Sequence, residues 1–153
     1  MKNLALALPV LVLALPAQAA EPTNMITMDG TCESLVVDGD DLSADCKDSV
    51  MQVIYDIGRV GLYAFAGEQI VTFSGTSDEV IDNEIHHQLD QVVLGVTGSD
   101  PRSVPARGTC IYENPYEGAP ARFTCEARAK SGASYTLSFV TDGATPEDIM
   151  AED

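Results

Sequence analysis

"TSDEVIDNEIHHQLDQVVLGV", residues 76–96, decides between two folds. Ile81, Ile85, Leu89, Val92, Val93 and Val96 recur at helical spacing, and Thr76 with Glu79 matches a capping box. Read that way, residues 78–94 form a helix and the chain is α+β. Two features oppose it. Asp82-Asn83 is a turn signal in the middle of the run, and "VVLGV" is a β-branched, strand-like ending. The balance places a strand over 85–95, with the α+β arrangement as the alternative.

The flanking sequence reads as strands separated by Gly, Pro and Asp turns. Candidates are 26–37, 42–46, 50–57, 59–65, 69–74, 106–113, 121–129 and 134–140. Ala66-Gly67-Glu68 is a short hairpin turn. In "VMQVIYDI" (50–57), Met51, Val53, Tyr55 and Ile57 form the better core side, against Val50, Gln52, Ile54 and Asp56. Thr145-Pro146-Glu147-Asp148 has the order of a helix start, so a short helical turn is expected in the tail, 144–153. The expected fold is all-β, an antiparallel sandwich or small barrel of about eight or nine short strands.

Four cysteines punctuate this pattern. "GTCESLVVDGDDLSADC" (30–46) is echoed by "GTCIYENPYEGAPARFTC" (108–125). Cys32 and Cys46 enclose thirteen residues, Cys110 and Cys125 fourteen, and each interval has a central turn, Asp38-Gly39 or Glu117-Gly118. A hairpin folded about such a turn brings its ends together, as a disulfide requires. The spacing therefore predicts two hairpin disulfides, Cys32–Cys46 and Cys110–Cys125. Weaker echoes extend the two stretches into divergent repeat units, 26–75 and 104–143.

Residues 1–19 have the layout of an export signal. Lys2 lies in a short positive start, Leu4 to Leu15 is apolar, and Ala17-Gln18-Ala19 is a cleavage pattern. The apolar run is short of the roughly twenty residues that span a bilayer as a helix. The expectation is cleavage after Ala19, a single β domain over 20–153 with no membrane anchor, and a periplasmic or secreted location.

The charge is lopsided. The chain carries 24 acidic and 8 basic residues, a formal net charge of −16. Such acidity repels nucleic acid and anionic surfaces, and it suits a cationic protein or a divalent cation as partner. Asp38, Asp40 and Asp41 make an acidic tip where a cation can land, although the EF-hand pattern is not met. No closely spaced cysteine pair offers a zinc site, and His86-His87 reads as a surface pair, so no metal and no cofactor is expected. Arg122, Arg128 and Lys130 share parity on one strand and so share a face.

No nucleophile elbow, phosphate loop or dinucleotide fingerprint is present, and disulfide-bonded cysteines leave no thiol nucleophile. The chain is therefore expected not to be an enzyme, and no catalytic residue is assigned.

The order of "GTC…C", an aromatic hairpin, "LDQVVLG", a second "GTC…C" and "SFVTDG" resembles uncharacterised small exported β-proteins of Gram-negative bacteria. That resemblance implies no catalytic residue, and it favours a strand at 85–95. A second likeness lies in "SGASY" (131–135). It is similar to the S-G-x-x-Y-type loop of small acidic exported barrels that inhibit lysozyme, departing from them at Ser134, where that family commonly has a basic residue. It marks Ser131, Gly132 and Tyr135 as a candidate partner-binding loop. The expected role is an exported, non-catalytic binding or structural domain. The alternative is an acidic periplasmic inhibitor of a cationic enzyme such as lysozyme.

Overall fold

A computed structural model describes residues 19–151; the stretch expected to be an export signal lies, up to residue 18, outside the described residues. Ten strands form: β1 (Pro22–Val37), β2 (Asp40–Asp41), β3 (Cys46–Tyr55), β4 (Val60–Ala66), β5 (Gln69–Ile81), β6 (Glu84–Val96), β7 (Arg102–Tyr112), β8 (Arg122–Ala129), β9 (Ser134–Thr141) and β10 (Glu147–Asp148). A single 3-10 turn, Ser43–Asp45, is the only helical element among the described residues.

The 76–96 stretch is strand on both sides of a tight turn. Asp82 and Asn83 both have positive φ, 50° and 68°, as a two-residue hairpin loop of the primed type requires. Asp and Asn tolerate that left-handed backbone, so the turn chemistry outweighs the helical spacing.

Eight strands close an antiparallel barrel in the order β1, β3, β4, β5, β6, β7, β8, β9 and back to β1. Closure rests on β1, which serves two neighbours in succession. Its first half pairs with β3 as far as Asp29↔Ser49, and its second half pairs with β9 from Gly30↔Thr141 onward. A Cβ at Gly30 would lie 2.0 Å from the Val140 carbonyl oxygen, so only glycine fits where the strand changes partner. Phe73, Phe123 and Phe139 fill the interior with Leu35, Leu62 and Val92, all fully buried. These six side chains bury large apolar area in a chain without tryptophan.

Both expected disulfides are present, but the two pairs are used differently. Cys110 and Cys125 are register partners inside a continuous β7–β8 ladder and are fully buried. Cys32 and Cys46 are half-buried and lie beyond the end of the β1–β3 ladder, where Asp48 Oδ1 accepts the Cys32 N–H at 2.9 Å. The residues 26–75 hold four barrel strands or parts of them, and 104–143 hold three.

Three local expectations are corrected. Of residues 42–46 only Cys46 is in a strand, as the start of β3: Asp41 Oδ1 accepts from Ser43 N and Oγ at 3.0 and 2.5 Å, a local closure that competes with sheet pairing. The tail forms β10 instead of a helical turn. Residues 26–27 lie outside the β9 ladder, and β10 takes that open edge, with Asp148 accepting from Asn24 Nδ2 and Met25 N. In β3 the interior side is Val50's, not that of Met51, Val53, Tyr55 and Ile57; of these four Val53 is buried, at 3%, but it stands apart from the core cluster. Val50 pairs with buried Met28 and Ala64, whereas Ile57 is 63% exposed. Apolar residues occur on both sides of this strand, so alternation alone does not choose between them.

Candidate functional site

The two barrel ends differ. At one end, residues 38–45 cross from β9 to the β4–β5 turn, tied by Asp38 N to the Ser134 carbonyl (2.7 Å) and by Gly67 N to the Asp45 carbonyl (3.2 Å). Leu42, Val37 and Ala133 pack against the core from this side. The opposite end carries seven of the eight large exposed hydrophobic side chains among the described residues: Ile57, Val80, Ile81, Ile85, Tyr116, Ile149 and Met150. Scattered apolar residues on a surface need no explanation, but a gathered set marks an interaction site.

The open end is shaped by the β5–β6 hairpin. A Cβ at Gly75 would lie 1.8 Å from the Gln88 carbonyl oxygen, and register shifts flank this glycine. Beyond it the hairpin runs past the start of β4, which pairs only as far as Gly75. A second irregularity leaves Asp90 unpaired in β6 and turned toward Arg59, whose Nη1 and Nη2 donate to its two carboxylate oxygens at 2.7 and 2.9 Å. The hydrogen bond from Arg59 holds the Asp90 carboxyl below the usual carboxylate range, against a smaller opposing effect of burial.

Within the hairpin, Asp78 and His87 are register partners. His87 is fully buried, which corrects its reading as a surface residue; only His86 lies on the other face, as adjacent strand residues must. His87 Nδ1 meets Asp78 Oδ1, and Nε2 lies 3.3 Å from the Val60 carbonyl oxygen. A carboxylate and a carbonyl oxygen, both acceptors, thus face its two ring nitrogens. Tyr112 stacks beside His87 with ring centres 6.1 Å apart, and Phe123 follows at 4.9 Å. The Tyr112 hydroxyl is buried without a hydrogen-bond partner among the described residues. Burial pushes its pKa far up, and the nearby Asp78 charge adds to the effect.

Above these rings lies a cavity of about 320 Å³, within the range of small-molecule sites. Ile26 and Met28 of β1, Val80 and Ile85 of the hairpin, and Tyr112, Tyr116 and Phe123 give it an apolar wall, with Gln52 and Asn83 as polar members. A depression of about 250 Å³ adjoins it and shares Asn83, Glu113 and Asn114; Asp82, Glu84 and Glu117 add further carboxylates. Neither is lined by a basic side chain among the described residues.

Larger depressions, about 520 and 680 Å³, lie on the outer wall of the barrel. The polar groups of the first are partnered already: the Tyr55 and Tyr63 hydroxyls meet at 2.6 Å, and Arg59 serves Ser74 and Asp90. The second follows the β7–β9 face, where Arg107 and Arg128 stand opposite each other.

The residues singled out from sequence fall elsewhere. Asp38, Asp40 and Asp41 are exposed at the tip of the β1–β2 hairpin, at the closed end. Hydrogen bonds from the Ser43 hydroxyl and N–H hold the Asp41 carboxyl below its usual range. Among the described residues no three His, Cys, Asp or Glu side chains converge as metal ligands, so this tip has no preformed cation cage. Ser131 and Gly132 form an exposed turn, but Tyr135 is 3% exposed and packed in the core, so its side chain is not presented to a partner. The parity rule placed it inward: Tyr135 alternates with Leu137 and Phe139. Of the basic residues on β8, Arg122 is engaged by Glu33 and Ser138.

The open-end cavity was not foreseen from sequence. Its one local signal was the run of apolar Val80, Ile81 and Ile85 around a two-residue turn, which a wholly buried hairpin would not expose. Two disulfides suit an oxidising compartment, and no helix among the described residues is long and apolar enough to cross a membrane. Comparison with known protein families, with curated proteins and with solved structures finds no match to this chain.

Proposed function

We propose that the protein is exported, is cleaved after Ala19, and acts in the periplasm or outside the cell as a non-catalytic binding domain whose site is the open barrel end. The observation that carries this reading is the asymmetry of the ends: Val37, Leu42 and Ala133 pack against the core at one, while exposed Val80, Ile85 and Tyr116 line a cavity at the other. Barrel mouths are a recurrent place for small ligands, because strands fix the wall while loops shape the rim.

The test uses a neutral fluorescent probe, N-phenyl-1-naphthylamine, with the mature protein. Saturable enhancement is expected, and the exposed pair Val80→Asp with Ile85→Asp is expected to abolish it while the circular dichroism spectrum stays β-like. No enhancement, or an unchanged one in the double variant, removes the reading.

Inhibition of a cationic enzyme now rests on net charge alone, since the loop argument needed Tyr135 outside. Lysozyme activity measured with the mature protein present decides it: undiminished activity at excess protein excludes that role.

A further inference from the structure

We infer that the open-end site selects amphiphilic cations, small molecules with an apolar tail and an ammonium head. The inference rests on the binding reading above and names its ligand class. Two adjoining features carry it. The cavity between Val80, Ile85, Tyr112 and Phe123 takes an apolar group. The depression beside it supplies Asp82, Glu84, Glu113 and Glu117 within one loop cluster. The two share Asn83, Glu113 and Asn114, so one molecule with a tail and a head spans both.

The sign of the head follows from the surroundings. No basic side chain lines either hollow among the described residues, so the charged groups a carboxylate or sulfate head meets in their walls are carboxylates. The nearby cations are engaged. Arg122 gives its backbone N–H to Glu113 Oε2 at 2.6 Å, while its guanidinium is held by Glu33. His86 faces Glu84 at 3.6 Å and offsets that carboxylate only when protonated. Glu113 and Glu117 remain exposed, one on each side of Asn114 and its turn. A large macromolecular partner is disfavoured by size: the apolar hollow admits one tail and no extended surface.

Displacement of the neutral naphthylamine probe tests this with three amphiphiles of one tail length, each below its micelle concentration. Dodecyltrimethylammonium is expected to displace it at about a tenfold lower concentration than dodecyl maltoside, and dodecyl sulfate to be the weakest. The double variant Glu113→Gln, Glu117→Gln is expected to bring the cation to the level of the maltoside measured on the same variant. Salt at about 1 M, with a Debye length of ~3 Å, is expected to do the same. Equal displacement by cation and maltoside overturns the inference while the binding reading stands. Absence of probe binding overturns both. A cation advantage that survives the double variant also overturns it, since the charge is then read elsewhere.

Discussion

The closed end and the open end of the barrel are made of similar material and put to different use. At the closed end a connection of eight residues, 38–45, lies over the core and hides Leu42. At the open end a longer loop, 113–121, stands beside the core and leaves Tyr116 58% exposed. Both connections are enclosed by a disulfide and hydrogen-bonded at their margins, so the difference is where those bonds lead. Residues 38–45 are tied across the end, to Ser134 on one side and to the β4–β5 turn at Gly67 on the other, whereas 113–121 is tied beside its own strands, by Glu113 N to the Arg122 carbonyl and by Thr141 N to the Ala121 carbonyl. The open end keeps its disulfide underneath, at Cys110–Cys125, one alternation below Tyr112 and Phe123 and at the base of the loop it encloses. An end that is fastened shut contributes to stability; an end that is firm but uncovered offers a surface.

The largest effect expected from breaking this comparison comes from the disulfides themselves. The two loops are alike, with separations of 14 and 15 residues, so chain entropy predicts about 3 kcal/mol for each. Their surroundings differ. Replacing both Cys110 and Cys125 with Ser leaves two hydroxyls in a fully buried place, adding roughly 1–3 kcal/mol per unsatisfied group. Urea unfolding is expected to show the Cys110/Cys125 variant distinctly less stable than the Cys32/Cys46 variant. Equal midpoints would show that the floor of the open end matters no more than the fastening of the closed one.

An intermediate effect separates the ends by function. Leu42→Ala is expected to lower stability by about 1–2 kcal/mol, since a partly buried leucine loses packing, and to leave naphthylamine binding at the mouth unchanged. Val80→Asn, at a side chain 73% exposed, is expected to stay within about 0.5 kcal/mol of the parent and to weaken the probe severalfold. If Leu42→Ala weakens binding as much as Val80→Asn does, the ends are not independent.

The smallest effect concerns pH. Asp90 has its carboxyl pKa lowered by Arg59, so the unfolded chain binds its proton more readily than the folded one. That contribution is complete above the ordinary aspartate value, about 3.9, and is lost as pH falls through the lower folded value. Both side chains are substantially exposed, so a few tenths of a kcal/mol is the expected size. Asp90→Asn is expected to flatten this part of the acid unfolding curve and to change nothing near neutral pH beyond that small loss; an acid limb as steep as the parent's would assign the loss to other carboxylates.

Much of the barrel was legible because its signals are local. Asp82-Asn83 needs only its own backbone conformation to defeat six apolar residues at helical spacing. The disulfide pairs follow from two turns of nearly equal span. What was illegible depends on partners far away in the chain. Gly30 is constrained by Val140, 110 residues later, and nothing beside it in sequence says so. The interior side of β3 is fixed by Met28 and Ala64, and the burial of His87 by its register with Asp78 and Cys110. The site is harder still to read. It is assembled from the first residues of β1, the tip of one hairpin and the loop after β7, which only closure brings around one opening.

The burial of Cys110–Cys125 also has a kinetic side. A dissolved thiol has no route to sulfur atoms that are fully enclosed between β7, β8 and the core. Attack has to wait until those strands part. The half-buried Cys32–Cys46 bond can be met from solution while the barrel is intact. In dilute reductant the two bonds therefore break on different clocks: Cys32–Cys46 follows the concentration of thiol, while Cys110–Cys125 follows the protein's own opening and so counts its excursions from the native state.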